Sequence, residues 1–545
     1  MAVYDMNKNP IATLYSINGN SLDAAYDVHG NLVWNSDSIQ NDGIQRTIKN
    51  ATNYPDPLGF RVGEEYVETF VAKDGYTLEG AAVSVVMDGE DITDSVYTMG
   101  AVVIDHVSED LSIWVEAAKI NYVIPPASDF KLELYNGKQA IRGYKGAESA
   151  IEIPPAIEVD GKMYETCIYY PGIPETVVHL KLSCSVPAYG SLQGMCSGIT
   201  DKLKTFWNNT GVDLYFGTGV NAERLISPDQ TNATKTYTPN NHPTITTMRQ
   251  MKYPTAVTSG ATLFYGDTAL VDAGTIPAWW KNLRFAFSGC SSLRRVAIDA
   301  RGVTDHGNWF GAKPSCKVKL HPDSETFRYM RDMAARGSGS GYAQPIMRLY
   351  PYDETEEIHT ILCIGDSLTR GTGSSNSTTK AYPVKLLEKL SANTIVYNEG
   401  MGSTKTGWHR DKLLNEANTP YLSDALVILW TGTNGNTDGD NTVETLELLI
   451  EEMISAMGSN RKFLLIPAVA EGISDSRNKH LAHKQWCIDQ YGADHVFDVY
   501  DWFDSQNLTR SDYMADSLHY NDEGYAIIAD GIYEKLNANG WVTPA

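Results

Sequence analysis

The sequence predicts a multidomain protein with a β-rich N-terminal half and a C-terminal α/β domain built in three layers. Three observations carry this. Before residue 120 the apolar residues alternate with period two between turn signals; after residue 355 near-continuous apolar runs alternate with helical patterns; and Gly337-Ser338-Gly339-Ser340-Gly341 separates the halves as a flexible linker. A chain of 545 residues also exceeds what one core supports.

Residues 1–50 open with short Tyr-led phrases, each running into an Asn-Pro or Gly-Asn turn: Tyr4 to Asn9-Pro10, Tyr15 to Gly19-Asn20, Tyr26 to Gly30-Asn31. A unit this small buries no core alone, so it reads as a β-rich attachment or oligomerisation segment. Residues 60–120 carry strand alternation in Ala82-Val83-Ser84-Val85-Val86-Met87 and Leu111-Ser112-Ile113-Trp114-Val115, divided by Asp74-Gly75 and Asp88-Gly89. That pattern predicts a small antiparallel sandwich. The phrase from Asp74 to Thr93 resembles an Ig-like module of bacterial surface and phage tail proteins, where it is a spacer or adhesive unit.

In residues 131–336, Gly143-Tyr144-Lys145-Gly146 with Ile151-Glu152-Ile153-Pro154, and later Phe287-Ser288-Gly289-Cys290-Ser291-Ser292-Leu293, resemble the leucine-rich repeat of bacterial surface proteins. The resemblance implies that Cys290 points into a stacked core. Residues 200–280 break the repeat with Trp207, Tyr215, Phe216, Trp279 and Trp280, which serve either as core or as a carbohydrate-stacking surface. Residues 337–354 are read as the linker.

From 355 to 545 the candidate strands are 358–364, 394–397, 425–431, 462–466 and 495–499, with helices at 383–390, 442–457, 480–491 and 522–536. Apolar strands between amphipathic helices mark a parallel sheet covered on both faces. Ligands in such folds bind beyond the C-terminal ends of the strands. Ser367, Gly402 and Asn434 each follow the end of a different strand, so they are expected at one mouth.

Composition narrows the partners. A net charge of -23 disfavours nucleic acid, whose binding needs clustered Lys and Arg. The seven cysteines, at 167, 184, 196, 290, 316, 363 and 487, form no Cys-x-x-Cys pair, so buried reduced thiols are expected, with no metal site and no cofactor. The stretch Met1-Ala2-Val3-Tyr4-Asp5-Met6-Asn7-Lys8 has no secretory pattern and no segment reaches membrane-spanning length. Synthesis in a bacterial cytoplasm without membrane insertion is therefore expected.

A serine hydroxyl becomes a nucleophile when a base takes its proton, and the base works best when a carboxylate fixes its tautomer. Asp516 and His519, three residues apart, can lie on one side of a turn, with Asp516 at Nδ1 and Nε2 facing Ser367. Backbone N–H groups of Ser367 and Gly402 and the Asn434 amide can then receive the developing oxyanion.

In order and spacing, Gly365-Asp366-Ser367-Leu368, Gly402, Gly432-Thr433-Asn434 and Asp516-Ser517-Leu518-His519 resemble the four blocks of the SGNH subgroup of GDSL hydrolases. The resemblance covers residues 355–545 and implies a flavodoxin-like three-layer SGNH-hydrolase domain. It also implies Ser367 as nucleophile, His519 as base, Asp516 as its orienting partner, and Ser367, Gly402 and Asn434 as oxyanion hole. Gly402 is preferred to Gly400. The family's aspartate after the third-block asparagine is replaced by Gly435, expected to widen the pocket. An ordinary α/β-hydrolase is disfavoured because Thr369 stands where its Gly-x-Ser-x-Gly elbow needs glycine.

Other candidates read as structural. His480 and His483 are expected on a solvated helix face, His409 at the surface or lining the cleft, Cys363 as a buried apolar residue, and Glu444, Glu447, Glu451 and Glu452 as a charged helix face.

The whole chain then resembles a phage tail or receptor-binding protein. The expected activity is removal of small acyl groups, O-acetyl above all, from a cell-surface polysaccharide, acting from the virion alongside other tail proteins. Homotrimerisation is implied by that resemblance alone. Two further readings stay open: a catalytically silent glycan-binding adhesin, and a lipid or thioester acyl hydrolase, which the lack of a basic amphipathic segment disfavours.

Overall fold

The computed structural model describes residues 44–185, 205–226, 246–309, 316–337, 348–417, 425–437, 441–457, 462–469 and 476–545, interrupted by gaps of at most five residues, with four short strands before residue 36. Those four strands form two antiparallel pairs, Val3–Tyr4 with Pro10–Ile11 and Ala24–Tyr26 with Leu32–Asn35. Residues 338–347 and 354 of the expected linker lie outside the described residues, as do Cys196 and the side chains of Tyr215 and Phe216.

Residues 45–119 make a sandwich of two four-stranded sheets. Their alternating apolar residues meet between the sheets, with Tyr66, Phe70, Val85, Val102, Ile113 and Val115 buried. Strands Gln45–Lys49 and Ala51–Tyr54, the first inside the expected leader, pair into this sandwich.

Downstream, parallel strands stack one per turn. Strands Ala150–Ile153, His179–Leu182 and Thr205–Asn208 form one sheet. A second contains β1 (Asp272–Ile276), β2 (Arg295–Ile298), β3 (Lys317–Leu320) and β4 (Arg348–Pro351). Strand β4 lies inside the stretch read as a linker. Phe264 and Phe287 of successive turns stack at 5.3 Å, and Cys290 is buried with its Sγ 2.8 Å from the Phe264 carbonyl. Trp280 is fully buried and Trp279 packs against the same core. Trp207 is half-buried, with the Lys181 ammonium 4.3 Å over its ring.

The sandwich and the repeat sheet share a buried ionic seam. Arg295 donates to Asp272 Oδ2 at 2.8 Å, to the carbonyls of Tyr54, Pro55 and Val67, and to Thr69 Oγ1. Lys317 pairs with Asp56 at 2.7 Å. Asp272 and Asp56 are both buried, so each charge depends on its partner.

The C-terminal domain is a four-stranded parallel sheet in the order β6 (Thr394–Gly400), β5 (His359–Gly365), β7 (Leu426–Thr431) and β8 (Phe463–Pro467). Alternate residues go to opposite faces, as strand geometry requires. Leu362, Ile364, Val427, Leu429 and Leu465 pack with Leu446, Ile450 and Met453 of α5 (Val443–Met457) and Cys487 of α6 (Ser476–Tyr491). Ile361, Cys363, Ile428, Trp430 and Ile466 pack with Tyr382 and Leu386 of α3 (Tyr382–Leu387) and Tyr525, Ile528 and Ile532 of α8 (Asp522–Ala538). These are the three layers expected.

The fifth strand expected at 495–499 is reduced to one bridge, Leu465 with Val496. Asp498 accepts from the Asp501 N–H at 2.9 Å and caps α7 (Val499–Ser505), so the chain turns helical there. Helix α1 (Glu325–Arg336) leaves the repeat sheet and packs on the β6 edge. Its Arg331 donates to the carbonyls of Thr394, Leu387 and Leu390. No helix among the described residues is long and apolar enough to cross a membrane.

Candidate active site

Ser367 opens the short helix α2 (Ser367–Arg370) directly beyond β5, and Asp366 caps that turn by accepting from the Leu368 N–H at 2.9 Å. Because β6 and β7 flank β5, the turns after all three strands lie side by side. The Met401 N–H donates to the Gly365 carbonyl at 3.0 Å, which fixes the second-block turn against the nucleophile turn. Gly402 lies beside Arg370, whose Nη1 would be 3.4 Å from a Cβ placed there.

The fourth block arrives from residues 514–520, a tight loop closed by the Met514–Tyr520 bridge and by the Ala515 N–H on the His519 carbonyl at 2.8 Å. His519 Nε2 is 2.9 Å from Ser367 Oγ, and its Nδ1 is 2.9 Å from Asp516 Oδ2. The other Asp516 oxygen accepts from the N–H groups of Leu518 and His519 at 2.8 and 2.7 Å. Those bonds, the His519 N–H first among them, hold the Asp516 carboxyl down at about 2. Asp516 is 54% exposed and His519 17%, so the dyad stands at the rim. The loop can approach because Gly373, at φ 94°, carries no side chain: a Cβ there would lie 2.7 Å from that of His519.

Of the expected oxyanion donors, Ser367 and Gly402 have backbone N–H groups that make no hydrogen bond among the described residues. The Gly400 N–H, in contrast, is occupied by Asn398 Oδ1 at 3.1 Å. The Asn434 amide has turned inward, donating to Asp366 Oδ2 at 3.3 Å and to the Thr404 carbonyl at 3.2 Å. Both bonds are long, so a stronger acceptor can draw the amide away. Gly435 does not widen the pocket. It sits at φ 85° where a Cβ would lie 2.1 Å from Asn441 Oδ1, the atom that accepts from the Asn436 N–H, so glycine there admits the Asn441 side chain.

Asp366 is the charged residue sequence reasoning passed over. It is buried, which pushes its carboxyl up to about 6, and it touches both the nucleophile turn and Asn434. Its place in Gly-Asp-Ser was the available signal. His409 is at neither the surface nor the cleft. It is fully buried between Thr404 Oγ1 and Thr431 Oγ1, and burial draws its imidazole down to about 4. His480 and His483 are buried as well, with His480 Nε2 2.7 Å from Asp498 Oδ2 and His483 Nδ1 3.4 Å from Glu447 Oε1. Their face of α6 meets α5 and α7 rather than solvent. Glu444, Glu451 and Glu452 are exposed, as expected for a charged face. Cys363 is buried and its thiol is pushed up to about 12.

Such a site can move a proton from Ser367 to His519, hold the resulting imidazolium against Asp516, and offer two free N–H groups to an oxyanion. Residues 363–527 match the GDSL-like Lipase/Acylhydrolase family. Similar solved structures include the lipase/acylhydrolase from Enterococcus faecalis, 22% identical over 34% of this chain and 99% of that one, with a TM-score of 0.28. An acetyl xylan esterase from Geobacillus stearothermophilus is 17% identical over 33% of this chain and 94% of that one, with a TM-score of 0.26. A two-domain esterase active on acetylated mannans is 17% identical over 34% and 51%, with a TM-score of 0.26. No curated protein matches the chain.

Proposed function

We propose that residues 355–545 are a serine esterase that removes small acyl groups, acetyl above all, from a carbohydrate. The observation that carries this reading is the unbroken chain from Ser367 Oγ through His519 to Asp516, at 2.9 Å for each contact, beside the N–H groups of Ser367 and Gly402, which have no partner among the described residues. Ser367 Oγ attacks the ester carbonyl while Nε2 takes its proton. The oxyanion is received by the two N–H groups, and by the Asn434 amide once it leaves Asp366. Collapse expels the alcohol, which takes the proton from Nε2. Water then attacks the acyl-serine by the same route, releasing the acid and restoring Ser367. Asp516 stays ionised throughout, because its carboxyl is held at about 2.

The surroundings favour a short acyl group on a polar alcohol. The turns at the mouth present Arg370, Thr372, Ser374, Thr404 and Lys405, and Met401, 44% exposed, is their large apolar contribution. Asp516 at an open rim leaves room for a polymer to continue past the ester. The upstream β modules, with their likeness to surface and tail proteins, support placing this esterase on a phage tail, with a host cell-surface polysaccharide as target and trimeric assembly with other tail proteins.

Purified full-length protein should hydrolyse p-nitrophenyl acetate in preference to long-chain esters. Ser367→Ala should lower turnover roughly 10³-fold or more without loss of glycan binding. Wild-type protein no more active than Ser367→Ala, on acetyl esters and on acetylated polysaccharides alike, would overturn this reading in favour of a silent glycan-binding module.

A further inference from the structure

Beneath the oxyanion turn runs a chain of side chains, half-buried at Thr404 and buried at His409, Thr431 and Thr406, that the reaction itself does not use. The Thr404 hydroxyl donates to the Met401 carbonyl at 2.6 Å, His409 Nε2 lies 2.9 Å from Thr404 Oγ1, and His409 Nδ1 lies 2.7 Å from Thr431 Oγ1. The Thr431 and Thr406 hydroxyls are 3.0 Å apart, and the Thr406 N–H donates to the Gly435 carbonyl at 3.1 Å. One histidine therefore bridges the turn that carries Gly402 to the turn that carries Asn434.

Proton counting gives the bridge a direction. A neutral imidazole has one donor and one acceptor. The short contact to the Met401 carbonyl takes the Thr404 proton, so Thr404 Oγ1 must accept from Nε2–H. From Nε2 the hydrogen bonds run toward the Met401 carbonyl, while the Thr431 hydroxyl donates the other way, to Thr406 Oγ1 at 3.0 Å, and the Thr406 hydroxyl to the Gly435 carbonyl at 3.3 Å. That carbonyl belongs to the same planar peptide as the Gly402 N–H. A bond accepted at its oxygen fixes the plane of the peptide and strengthens the N–H as a donor, and aligned bonds polarise one another.

The turn needs such a hold. Ser403 sits at φ 65°, a left-handed conformation unfavourable for a residue with a side chain, and the backbone bond across the turn, Thr404 N–H to Met401 carbonyl, is 3.4 Å. The Thr404 hydroxyl makes the shorter bond to the same oxygen, and His409 fixes that hydroxyl.

We propose that His409 is a positioning residue of the esterase: acting through Thr404, it sets the Met401–Gly402 peptide so that the Gly402 N–H meets the oxyanion. The inference rests on the proposed function, since without acyl transfer there is no oxyanion to meet.

Two substitutions separate positioning from packing. The glutamine amide reaches the place of Nε2, whereas the asparagine amide reaches that of Nδ1. His409→Gln keeps the link to Thr404, and His409→Asn keeps only Thr431. With p-nitrophenyl acetate, His409→Gln should retain kcat within about fivefold, while His409→Asn should lose roughly 30-fold or more in kcat with KM within about twofold. Thr404→Val, at a half-buried site, should lose kcat like His409→Asn, and adding His409→Gln to it should cost little more. Thermal melts of each variant show whether it folds, and Thr404→Val carries the test if the His409 variants do not. Equal kcat for Gln and Asn, a Thr404→Val enzyme as fast as wild type, or additive losses would overturn the role of His409 and leave the esterase standing. A wild-type protein inactive on every acetyl ester would overturn the esterase, and the role of His409 with it.

Discussion

Gly373 and His519 touch across the mouth of the site: the missing Cβ of Gly373 would lie 2.7 Å from the His519 Cβ and 2.7 Å from the Tyr520 carbonyl oxygen. Neither neighbour is the free end of a flexible side chain, and φ at Gly373 is 94°, so an added methyl meets both strain and obstruction. Gly373→Ala should therefore push the loop bearing Asp516 and His519 away from Ser367. A displacement near 1 Å costs roughly 10²-fold in rate. Steady-state kinetics should show kcat/KM falling by about that factor, with a drop of only a few degrees in the melting transition.

Asp366 gives the folded protein a distinctive pH response. Burial raises its carboxyl to about 6, above the ordinary value near 4, so between these values the folded state holds a proton that the unfolded chain has released. The stability from the neutral carboxyl is complete below about pH 4 and is lost as pH rises through about 6, amounting to roughly 2 to 3 kcal/mol. Asp366→Asn removes the titration, so denaturation midpoints of the variant should fall less than those of wild type from pH 4 to 7. Its activity should drop roughly tenfold or more, because an amide at 366 presents a donor to the Asn434 amide and turns it.

What could be read in the sequence followed from how directly chemistry dictates residue type. Ser367, Asp516 and His519 were legible because a proton relay from a hydroxyl through an imidazole to a carboxylate requires those types, and the α/β pattern placed Ser367 at a strand end. Gly435 and His409 were misjudged because their environments are set by distant partners, Asn441 for one and the Thr404 and Thr431 hydroxyls for the other. The helix carrying His409, α4 (Thr406–Ala417), shows no apolar stripe to announce a buried residue. Strand 495–499 was lost to a cap: Asp498 favours a helix start at the position where the apolar run alone reads as strand.

The ionic seam between the sandwich and the repeat sheet had no sequence signal at all, since Asp272 and Arg295 bond to groups on residues 54–69. Removing one partner leaves the other charge buried, at a cost of roughly 3 to 5 kcal/mol. Asp272→Ala should accordingly raise hydrogen exchange in strand Tyr66–Ala72 and lower the denaturant midpoint of the N-terminal half. Hydrolysis of p-nitrophenyl acetate without denaturant should remain at the wild-type rate, because the seam lies outside the domain that holds Ser367.

Thiol chemistry offers a separate check on the nucleophile, because Cys363 lies in β5 only four residues before Ser367. Alkylation requires thiolate and access. Cys363 has neither: it is buried between Tyr382 and the sheet, and burial pushes its thiol up to about 12, as it does those of Cys184 and Cys487. Native protein treated with iodoacetamide at pH 7.5 should keep its esterase activity, and mass spectrometry should find these three cysteines unmodified until denaturant is added. A serine-directed fluorophosphonate should abolish activity and label Ser367 alone. Loss of activity in step with alkylation of Cys363 would move the nucleophile from the turn to the strand, and the hydrogen-bonded chain through His519 would then need a different substrate atom to act upon.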